Sequence, residues 1–582
     1  MLIAASLGLV AVVATFPADF VLPRAGLDWA PLGDAAQHAI AQRYFIRAPW
    51  GWPPLFIPTL DAPRGINLAF ADGIPLLALL LKTARDGLPQ GFHGIGLWYA
   101  ITTVAQPVAA VWALRSAGEC RLLPAVGVAL AALAMPAWLA RYGHAALTGH
   151  FLLLLALGWY LRLAERQTLR RWLGAALTAL AALLVHPYLA AMVLAVLGAA
   201  PLTLLLRGEA GWIGAGLAVA AILAAVLGTM AAFGYLGAAG DGGYGQFAMN
   251  LLSPVWPYRS LLLPGIAGTE IDATGKGGWE GYNWLGAGLL AGLLAALLLA
   301  PRTAIGGLGR HTGLVLVLLG LVGLAVSQRV GLGGSIVLDL GPPPAAMEQF
   351  RASGRFFWPI AYALLIGAAA LLARLPGGAW LVLGLGLLQT TDTLPIRADL
   401  AAWARARPAW VLDAEALRPM LKSAGHLTLL PSWPCIPPDP EATFIEAHQA
   451  LALASETALP VSTMHVARWA KRPVCDDRTL AAAPFVPGEL RLILPAALPD
   501  LLHLVPEAEL RCRMVGIAMA CVDPPLPSPP SLSPLSLSPP APAAEAASEP
   551  KPPGPDQPRP EPPAPRPEDS VPPDKADGAS SR

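Results

Sequence analysis

Charged residues are scarce in this sequence. Asp, Glu, Lys and Arg make up 13% of the 582 residues, whereas hydrophobic residues make up 55%. A water-soluble domain of this length could not bury so large an apolar fraction, and the composition therefore predicts an integral membrane protein. The formal net charge is only +1. Because no basic face is available, nucleic acid is not an expected partner.

Several motifs of well-understood chemistry are also missing. The sequence has no Walker A loop, no H-E-x-x-H, no G-x-S-x-G and no C-x-x-C pair. ATP-driven transport and zincin-type hydrolysis therefore have no support.

Long apolar runs, by contrast, are abundant and predict transmembrane helices. A helix of roughly 20 apolar residues crosses a bilayer core about 30 Å thick. This length predicts spans near residues 1–17, 92–114, 122–140, 145–163, 212–235, 284–300, 312–327, 356–373 and 378–392. The run 172–206 is too long for one span and is broken by His186-Pro187, which predicts two short helices or a re-entrant hairpin. The predicted fold class is a membrane all-α protein with about 11 transmembrane helices.

Basic residues in the short loops predict the orientation of these helices. They fall on one side of the predicted bundle, at Arg115, Arg121, Arg166, Arg170, Arg171, Arg302 and Arg310. By the positive-inside rule that side is cytoplasmic, together with the N-terminus. The loops 18–91, 236–283 and 328–355 and the C-terminal third then face the periplasm of a bacterial inner membrane. The run Ile74–Leu81 is too short to cross and is expected at the interface or as a re-entrant segment.

Residues 393–523 have mixed composition and predict a small periplasmic α/β domain after the transmembrane domain 1–392. Four of the five cysteines lie in it. Cys512 and Cys521 flank eight residues, a spacing that suits the two arms of a hairpin and leaves Cys435 to pair with Cys475. Four buried free thiols are the alternative, but the periplasm is oxidising and favours disulfides. From residue 524 on, proline-rich runs predict a disordered tail.

The first external loop contains a candidate acid-base cluster. Asp34, Gln37 and His38 stand at i, i+3 and i+4, so on a helix their side chains share one face. A carboxylate beside an imidazole can hold a divalent metal or act as a base with its orienting partner. The structural alternative is that Asp34 caps a helix after Gly33 while His38 is merely solvated.

A second cluster, RYGHAALTGHF, places His144 and His150 near the outer end of the predicted span 145–163. A polar residue as deep as His150 needs a partner or a water-filled cavity. His186 is predicted at the same depth, which favours one outer cavity shared by the three histidines. Packing histidines with local hydrogen bonds are the alternative.

The third cluster, MEQFRASGRFFWPIAY, places Glu348, Arg351 and Arg355 just outside a span. Two arginines four residues apart on a helix present two guanidinium groups that suit a phosphate. Interfacial anchoring is the alternative. The neighbouring loop offers aromatic and acidic residues for a sugar platform or an interfacial belt, namely Asp241, Tyr244, Trp256, Trp279, Glu280 and Tyr282.

An apolar first span, an acidic first external loop, many further spans and a C-terminal outer domain together resemble the GT-C glycosyltransferases. The strings GDAAQH, YFIRAPWGWP, ADGIPLLALLLK, RYGHAALTGH, FRASGRFFWPIAY and the C-terminal C-x8-C resemble a bacterial multi-pass membrane family related to that superfamily. The resemblance covers nearly all of residues 1–523. It implies a first-loop catalytic carboxylate at Asp34, with Asp28 as the alternative. Many members have two adjacent acidic residues there, and this chain has none.

The resemblance implies transfer of a sugar from a polyprenyl phosphate carrier to an acceptor at the periplasmic face. Asp34, His38 and His144 are the expected catalytic residues, and Glu280, Glu348, Arg351, Arg355 and His150 are the expected substrate-binding residues. A divalent metal ion is a conceivable cofactor, and membrane lipids are expected partners. The alternatives are a transporter of glycans or lipid-linked sugars and a noncatalytic assembly protein. Convergence of these side chains in one outer cavity would favour the enzyme.

Overall fold

The computed structural model describes residues 1–23, 33–238, 242–268, 271–273, 280–436, 441–469, 471 and 473–523. The predicted proline-rich tail lies outside these residues. Helices dominate the chain up to residue 405, at Leu2–Thr15, Ala18–Val21, Gly33–Arg47, Pro75–Thr83, Ile95–Ser116, Leu122–Leu133, Pro136–Leu139, Phe151–Glu165, Leu169–Val185, Pro187–Leu206, Trp212–Ala232, Ala287–Leu299, Pro301–Arg310, Thr312–Val326, Trp358–Ala373, Gly378–Asp392 and Leu394–Arg405. Two short hairpins join them, Phe56–Ile57 with Ile66–Asn67 and Arg329–Leu332 with Ser335–Asp339.

Five described helices are long and apolar enough to cross a membrane. They are Ile95–Ser116, Ala145–Glu165, Pro187–Leu206, Trp212–Ala232 and Ser353–Ala373. The pair Ala287–Leu299 and Pro301–Arg310 adds a sixth if it is one span bent by 102°.

The predicted count of eleven spans is not supported by the described helices. Several apolar runs form helices that are too short, among them Leu2–Thr15, Leu122–Leu133 and Thr312–Val326. In the predicted span 122–140 the helix stops at Leu133, and a separate four-residue helix begins at Pro136. A proline lacks the N–H that an uninterrupted helix requires, so the apolar run is longer than the helix that it contains.

The predicted break at His186-Pro187 separates two helices, Leu169–Val185 and Pro187–Leu206. His186 has an extended backbone, and its Nδ1 accepts the backbone N–H of Tyr188 at 3.1 Å. The predicted break is therefore present, but the second helix, with 20 residues, is not short: it is long enough to cross a membrane. The run Ile74–Leu81 enters a helix of only nine residues, too short to cross a bilayer.

The C-terminal segment forms a small four-stranded mixed sheet. His426–Leu430 pairs in parallel with Glu489–Ile493, which pairs antiparallel with Ala518–Val522, and Cys512–Val515 completes the edge. Its helices are Ala414–Ser423, Glu441–Ser455, Asp477–Ala482, Leu498–Leu501 and Ala508–Arg511. Both predicted disulfides are confirmed, Cys435 with Cys475 and Cys512 with Cys521. Cys512 and Cys521 face each other across the hairpin, as their spacing predicts.

The C-terminal segment packs directly on residues that follow the first helix, from Arg43 to Phe70. Arg43 Nη1 donates to Ser455 Oγ at 3.1 Å, and Tyr44 Oη donates to the carbonyl of Leu459. Further along, the Ala467 N–H donates to the carbonyl of Phe70 at 2.7 Å. These contacts hold the residues after the helix Glu441–Ser455 against the helix that carries Asp34 and the segment that follows it.

The Cys435–Cys475 bridge is expected to stabilise this segment. Replacing both cysteines with serine should lower the free energy of unfolding by about 2–4 kcal/mol, because the bridge restrains a long loop in the unfolded chain. Thermal unfolding of the purified protein in detergent measures the change. Cys120→Ser is the control, since Cys120 is exposed and has no disulfide partner among the described cysteines. An unchanged melting temperature in the double variant would contradict the prediction.

Candidate functional site

The helix Gly33–Arg47 carries the predicted acid-base cluster. Asp34 is the second residue of the helix and not the residue before it, so the alternative of a capping Asp34 is not supported. Gln42, in the third turn, holds the helix in place. Its Nε2 donates to the Gly73 carbonyl at 2.8 Å, and its Oε1 accepts the N–H of Gly94 at 2.8 Å.

Asp34 lines a cavity of about 360 Å³ formed by segments that are far apart in the sequence. The predicted site residues that line it are Asp34, His38, His144, Glu280, Glu348, Arg351 and Arg355. The five side chains whose convergence favours an enzyme, Asp34, His144, Glu280, Glu348 and Arg351, are all among them.

Glu280 is the electrostatic centre of this cavity. It is 5% exposed, and its carboxylate accepts hydrogen bonds from Arg141 Nη1 at 2.7 Å and from Arg355 Nη2 at 3.0 Å. Burial alone would raise the pKa of the Glu280 carboxyl, but Arg355 and Arg141 outweigh it and hold the pKa well below its usual range. Glu280 is therefore a buried anion bound by two buried guanidinium groups.

His144 connects this anion to Asp34. Its Nε2 lies 3.2 Å from Asp34 Oδ2 and 3.4 Å from Glu280 Oε1. Both neighbours are acceptors, so Nε2 carries a proton that points between them. The Asp34 side chain is 38% exposed and its carboxylate remains accessible from the cavity.

A second carboxylate-histidine pair, Asp72 with His186, lines the same cavity. His186 Nε2 lies 3.4 Å from Asp72 Oδ1. Because His186 Nδ1 accepts a backbone N–H, its Nε2 carries the proton and donates toward Asp72. Burial would raise the pKa of the Asp72 carboxyl, but His186 and His38 hold it below its usual range. Burial also lowers the pKa of His186, although Asp72 opposes the shift.

His38 lies between the two pairs. It is 1% exposed, so the alternative of a solvated His38 is wrong. Burial lowers the pKa of His38 to about 4 despite the opposing charge of Asp72, and the ring is therefore neutral at pH 7. Its ring centroid is 6.4 Å from that of His144, and its buried Nδ1 has no hydrogen-bond partner in the part of the chain that the structure describes.

The predicted phosphate-binding pair, Arg351 and Arg355, does not act as a pair. Arg355 forms an ion pair with Glu280, with Nη2 3.0 Å from Oε1. Arg351 instead shares the cavity with Arg468, which donates to the carbonyl of Gln349 at 3.2 Å. In the described parts of the chain neither Arg351 nor Arg468 has a carboxylate partner. These two arginines carry the positive charge that remains for a ligand.

Glu348 belongs to the cavity lining but is already engaged. Its Oε2 accepts the backbone N–H groups of Gly243 at 2.5 Å and of Tyr244 at 3.2 Å. Its main role is therefore to fix the loop at Gly243, and its second oxygen is the one left for a ligand.

His150 and the aromatic residues lie elsewhere. His150 is fully buried, with Nδ1 2.8 Å from Tyr362 Oη and its ring 4.2 Å from that of Trp358. It is a packing residue and not part of the cavity lining. Tyr244, Trp256 and Tyr282 are also absent from the described lining, whereas Asp28, Asp241 and Trp279 lie outside the described residues.

The cavity lies at the N-terminal ends of three long apolar helices, Ala145–Glu165, Pro187–Leu206 and Ser353–Ala373. The residue directly before each of them, His144, His186 and Ala352, lines the cavity. Helix N-termini carry partial positive charge, and three together favour an anion.

Comparison with known families decides the membership of this chain. A model described as a domain of unknown function, DUF6311, matches residues 5–394, and the DUF6311 C-terminal domain matches residues 416–523. The chain belongs to the DUF6311 family. No curated protein and no solved structure matches it. These comparisons show no link to the GT-C glycosyltransferases.

Both DUF6311 segments contribute to the cavity. The first supplies the residues from Asp34 to Arg355, and the second supplies His465 and Arg468. Sequence reasoning did not single out Asp72, His465 or Arg468. For Asp72 a signal existed: it is a single carboxylate next to Gly73, directly before the apolar run Ile74–Leu81.

The described residues of this DUF6311 protein do not form a ready site for a metal ion. Within the described residues no group of three or more His, Cys, Asp or Glu side chains is arranged to hold one. Asp34 and Glu280 approach the same nitrogen of His144, and Glu280 is already bound by two arginines.

Proposed function

We propose that this protein is a membrane glycosyltransferase of GT-C type that transfers a sugar from a polyprenyl phosphate carrier to an acceptor. One observation carries the proposal: an accessible carboxylate, Asp34, shares a cavity with Arg351 and Arg468, which form no ion pair with a carboxylate in the described parts of the chain, at the ends of three apolar helices. A polyprenyl chain can remain in the bilayer while its phosphate enters such a cavity.

The groups present match the demands of this reaction. Asp34 accepts the proton of the acceptor hydroxyl as the hydroxyl oxygen bonds to the anomeric carbon of the sugar. The bond between that carbon and the phosphate oxygen breaks, and its electron pair leaves with polyprenyl phosphate. Arg351, Arg468 and the helix N-termini stabilise the negative charge that develops on the phosphate.

The buried groups position this machinery. His144 donates to Asp34 and fixes its orientation, and Glu280 in turn fixes His144 and both buried arginines. The Asp72–His186 pair provides a second accessible carboxylate, which suits the hydroxyl groups of a sugar. Two carboxylate-histidine pairs thus take the place of the adjacent acidic residues common in GT-C enzymes.

We propose the periplasmic side of a bacterial inner membrane as the location of this cavity, with the N-terminus in the cytoplasm. The two disulfides of the C-terminal segment require an oxidising compartment, and that segment forms part of the cavity.

The direct test uses the purified full chain in detergent with polyprenyl phosphate-linked sugars, with released polyprenyl phosphate measured by mass spectrometry. Arg351→Ala and Arg468→Ala are each expected to raise the KM for the donor about tenfold or more, since each removes a charge-assisted contact to phosphate worth about 1.5–3 kcal/mol. Arg329→Ala is the control, because Arg329 pairs with Asp339 and does not line the cavity.

Other outcomes would favour the alternatives. Movement of an intact lipid-linked sugar across vesicles without release of polyprenyl phosphate would indicate a transporter. If cells with both Asp34 and Arg351 replaced keep a wild-type cell envelope, the protein would be a noncatalytic assembly protein. Equal KM values in the Arg351, Arg468 and Arg329 variants would refute the proposed phosphate contacts.

A further inference from the structure

The helix Gly33–Arg47 has a second cavity on its other face. Asp34 and His38 line the cavity described above, whereas Ala35, Ala39 and Arg43, at i, i+4 and i+8, line a separate cavity of about 260 Å³. The spacing places these three side chains on one stripe of the helix.

The lining of this second cavity is mostly apolar and aromatic. It comes from the end of the first apolar segment, the start of a long apolar helix and the helix Leu394–Arg405 with the residues after it, including Phe20, Ile95, Gly96, Trp403, Pro408 and Trp410. Such a lining suits a hydrocarbon body. The Nε1 of Trp410 is buried and has no hydrogen-bond partner among the described residues, so it is a donor that a ligand could use.

Arg43 supplies a positive charge with which no described carboxylate forms an ion pair. Arg43 is half-buried; its Nη1 donates to Ser455 Oγ at 3.1 Å, and its Nε is buried without a hydrogen-bond partner among the described residues. Glu456 lines this cavity and acts on Arg43 from a distance, but it is bound to Arg418 at 3.2 Å. Asp19 lies 2.7 Å from Arg407, another lining residue.

A half-buried cation without an ion-pair partner costs free energy, and a bound anion would offset that cost. The apolar lining excludes a small hydrophilic anion as the best ligand, because its hydration would be lost without gain. The combination of one half-buried arginine with aromatic and aliphatic walls instead matches a molecule that has an anionic head and a hydrocarbon chain.

We propose that this second cavity is a binding site for a single-chain anionic amphiphile, whose phosphate or carboxylate head bonds to Arg43 and whose chain lies along Phe20, Trp403 and Trp410. The site is distinct from the cavity that contains Asp34. It does not depend on the glycosyltransferase proposal.

The test measures binding of farnesyl phosphate, palmitate and the neutral alcohol farnesol to the purified full chain in detergent by native mass spectrometry. The wild-type protein is expected to bind at least one of the two anions about tenfold or more tightly than farnesol. Comparison of farnesyl phosphate with palmitate identifies the head that the site prefers.

Two variants locate the site. Arg43→Gln is expected to weaken anion binding about tenfold while leaving farnesol unchanged, because it removes the charge. Ala35→Phe is expected to weaken the binding of all three ligands, because the phenylalanine ring would fill the cavity. Ala35 is half-buried, so its position can accept a larger side chain. The second variant keeps the test valid if Arg43→Gln does not fold.

Asp34→Asn is the matched control on the face of the same helix that lines the first cavity, and it should bind all three ligands as the wild type does. Equal affinity for the anions and farnesol, or unchanged affinity in Ala35→Phe, would overturn the proposal. Loss of sugar transfer in Asp34→Asn with intact amphiphile binding would separate this site from the proposed catalytic one.

Discussion

Asp34→Asn is expected to lower the rate of the proposed sugar transfer by about 10²–10⁴-fold, the usual contribution of a general base. The asparagine side chain keeps the shape of aspartate and can still accept a hydrogen bond from His144, but it cannot take a proton from a hydroxyl. Because the Asp34 side chain is partly exposed and lies outside the hydrophobic core, folding should be unaffected. The measurement is the turnover number with saturating lipid-linked donor.

A second first-loop carboxylate provides the control for this variant. Asp86 is almost fully exposed and does not line the cavity, so Asp86→Asn should keep the wild-type rate. If Asp34→Asn also keeps the wild-type rate, Asp34 has no part in the chemistry. If its rate falls together with its melting temperature, the effect is structural and the base assignment fails.

Glu280→Gln is expected to give the largest loss of stability, about 3–5 kcal/mol, since it leaves two buried guanidinium groups without their anion. Arg141 and Arg355 both donate to this carboxylate, and a neutral amide can accept only weaker hydrogen bonds from them. Thermal or urea unfolding of the protein in detergent measures the loss.

The same carboxylate predicts a pH dependence. The pKa of Glu280 is held well below its usual range in the folded protein, so its contribution to stability is fully present above the unfolded value, about 4.3. That contribution is lost as the pH falls from about 4.3 through the folded pKa. When the pH is lowered from neutral to acid, the free energy of unfolding of Glu280→Gln should therefore fall by less than that of the wild type.

An exposed ion pair provides the matched control. Arg329 and Asp339 are paired at 3.2 Å, and both side chains are about half exposed. Asp339→Asn should change the free energy of unfolding by about 1 kcal/mol or less, because solvent screens such a pair. A Glu280→Gln protein as stable as the Asp339→Asn protein would contradict the central role given to Glu280.

Much of the site was visible in the sequence because charged residues are scarce. In a largely apolar chain, Asp34, His144, Glu280 and Arg351 stand near the ends of apolar runs, where the depth of each can be estimated. Side chains at similar depth in a helical bundle come together. The structure confirms this convergence for these residues.

The partners within the site were beyond sequence reasoning. Arg351 and Arg355 have the spacing of a phosphate pair, yet Glu280 neutralises Arg355 from 75 residues away. Arg468 enters the cavity only because the C-terminal segment docks on the first loop. There the backbone N–H of Ala467 donates a hydrogen bond to the carbonyl of Phe70. Such long-range pairing leaves no local pattern in the sequence.

Two further features differ in how well the sequence predicts them. The Cys512–Cys521 bridge follows from a local hairpin spacing, and its partner bridge then follows by elimination. The number of spans does not follow from hydropathy, because an apolar run may contain a helix break, as at Leu133 to Pro136. Hydropathy measures where a chain prefers lipid and does not show where its helices end.

The docking of the C-terminal segment on the first loop has an evolutionary consequence. A substitution of Arg468 changes the charge presented to any ligand of the Asp34 cavity, although Arg468 falls in a different family model from Asp34 itself. Selection for a ligand therefore acts on both segments at once. The two should be inherited together, and an exchange of one between relatives should fail unless the side-chain contact between Arg43 and Ser455 is kept.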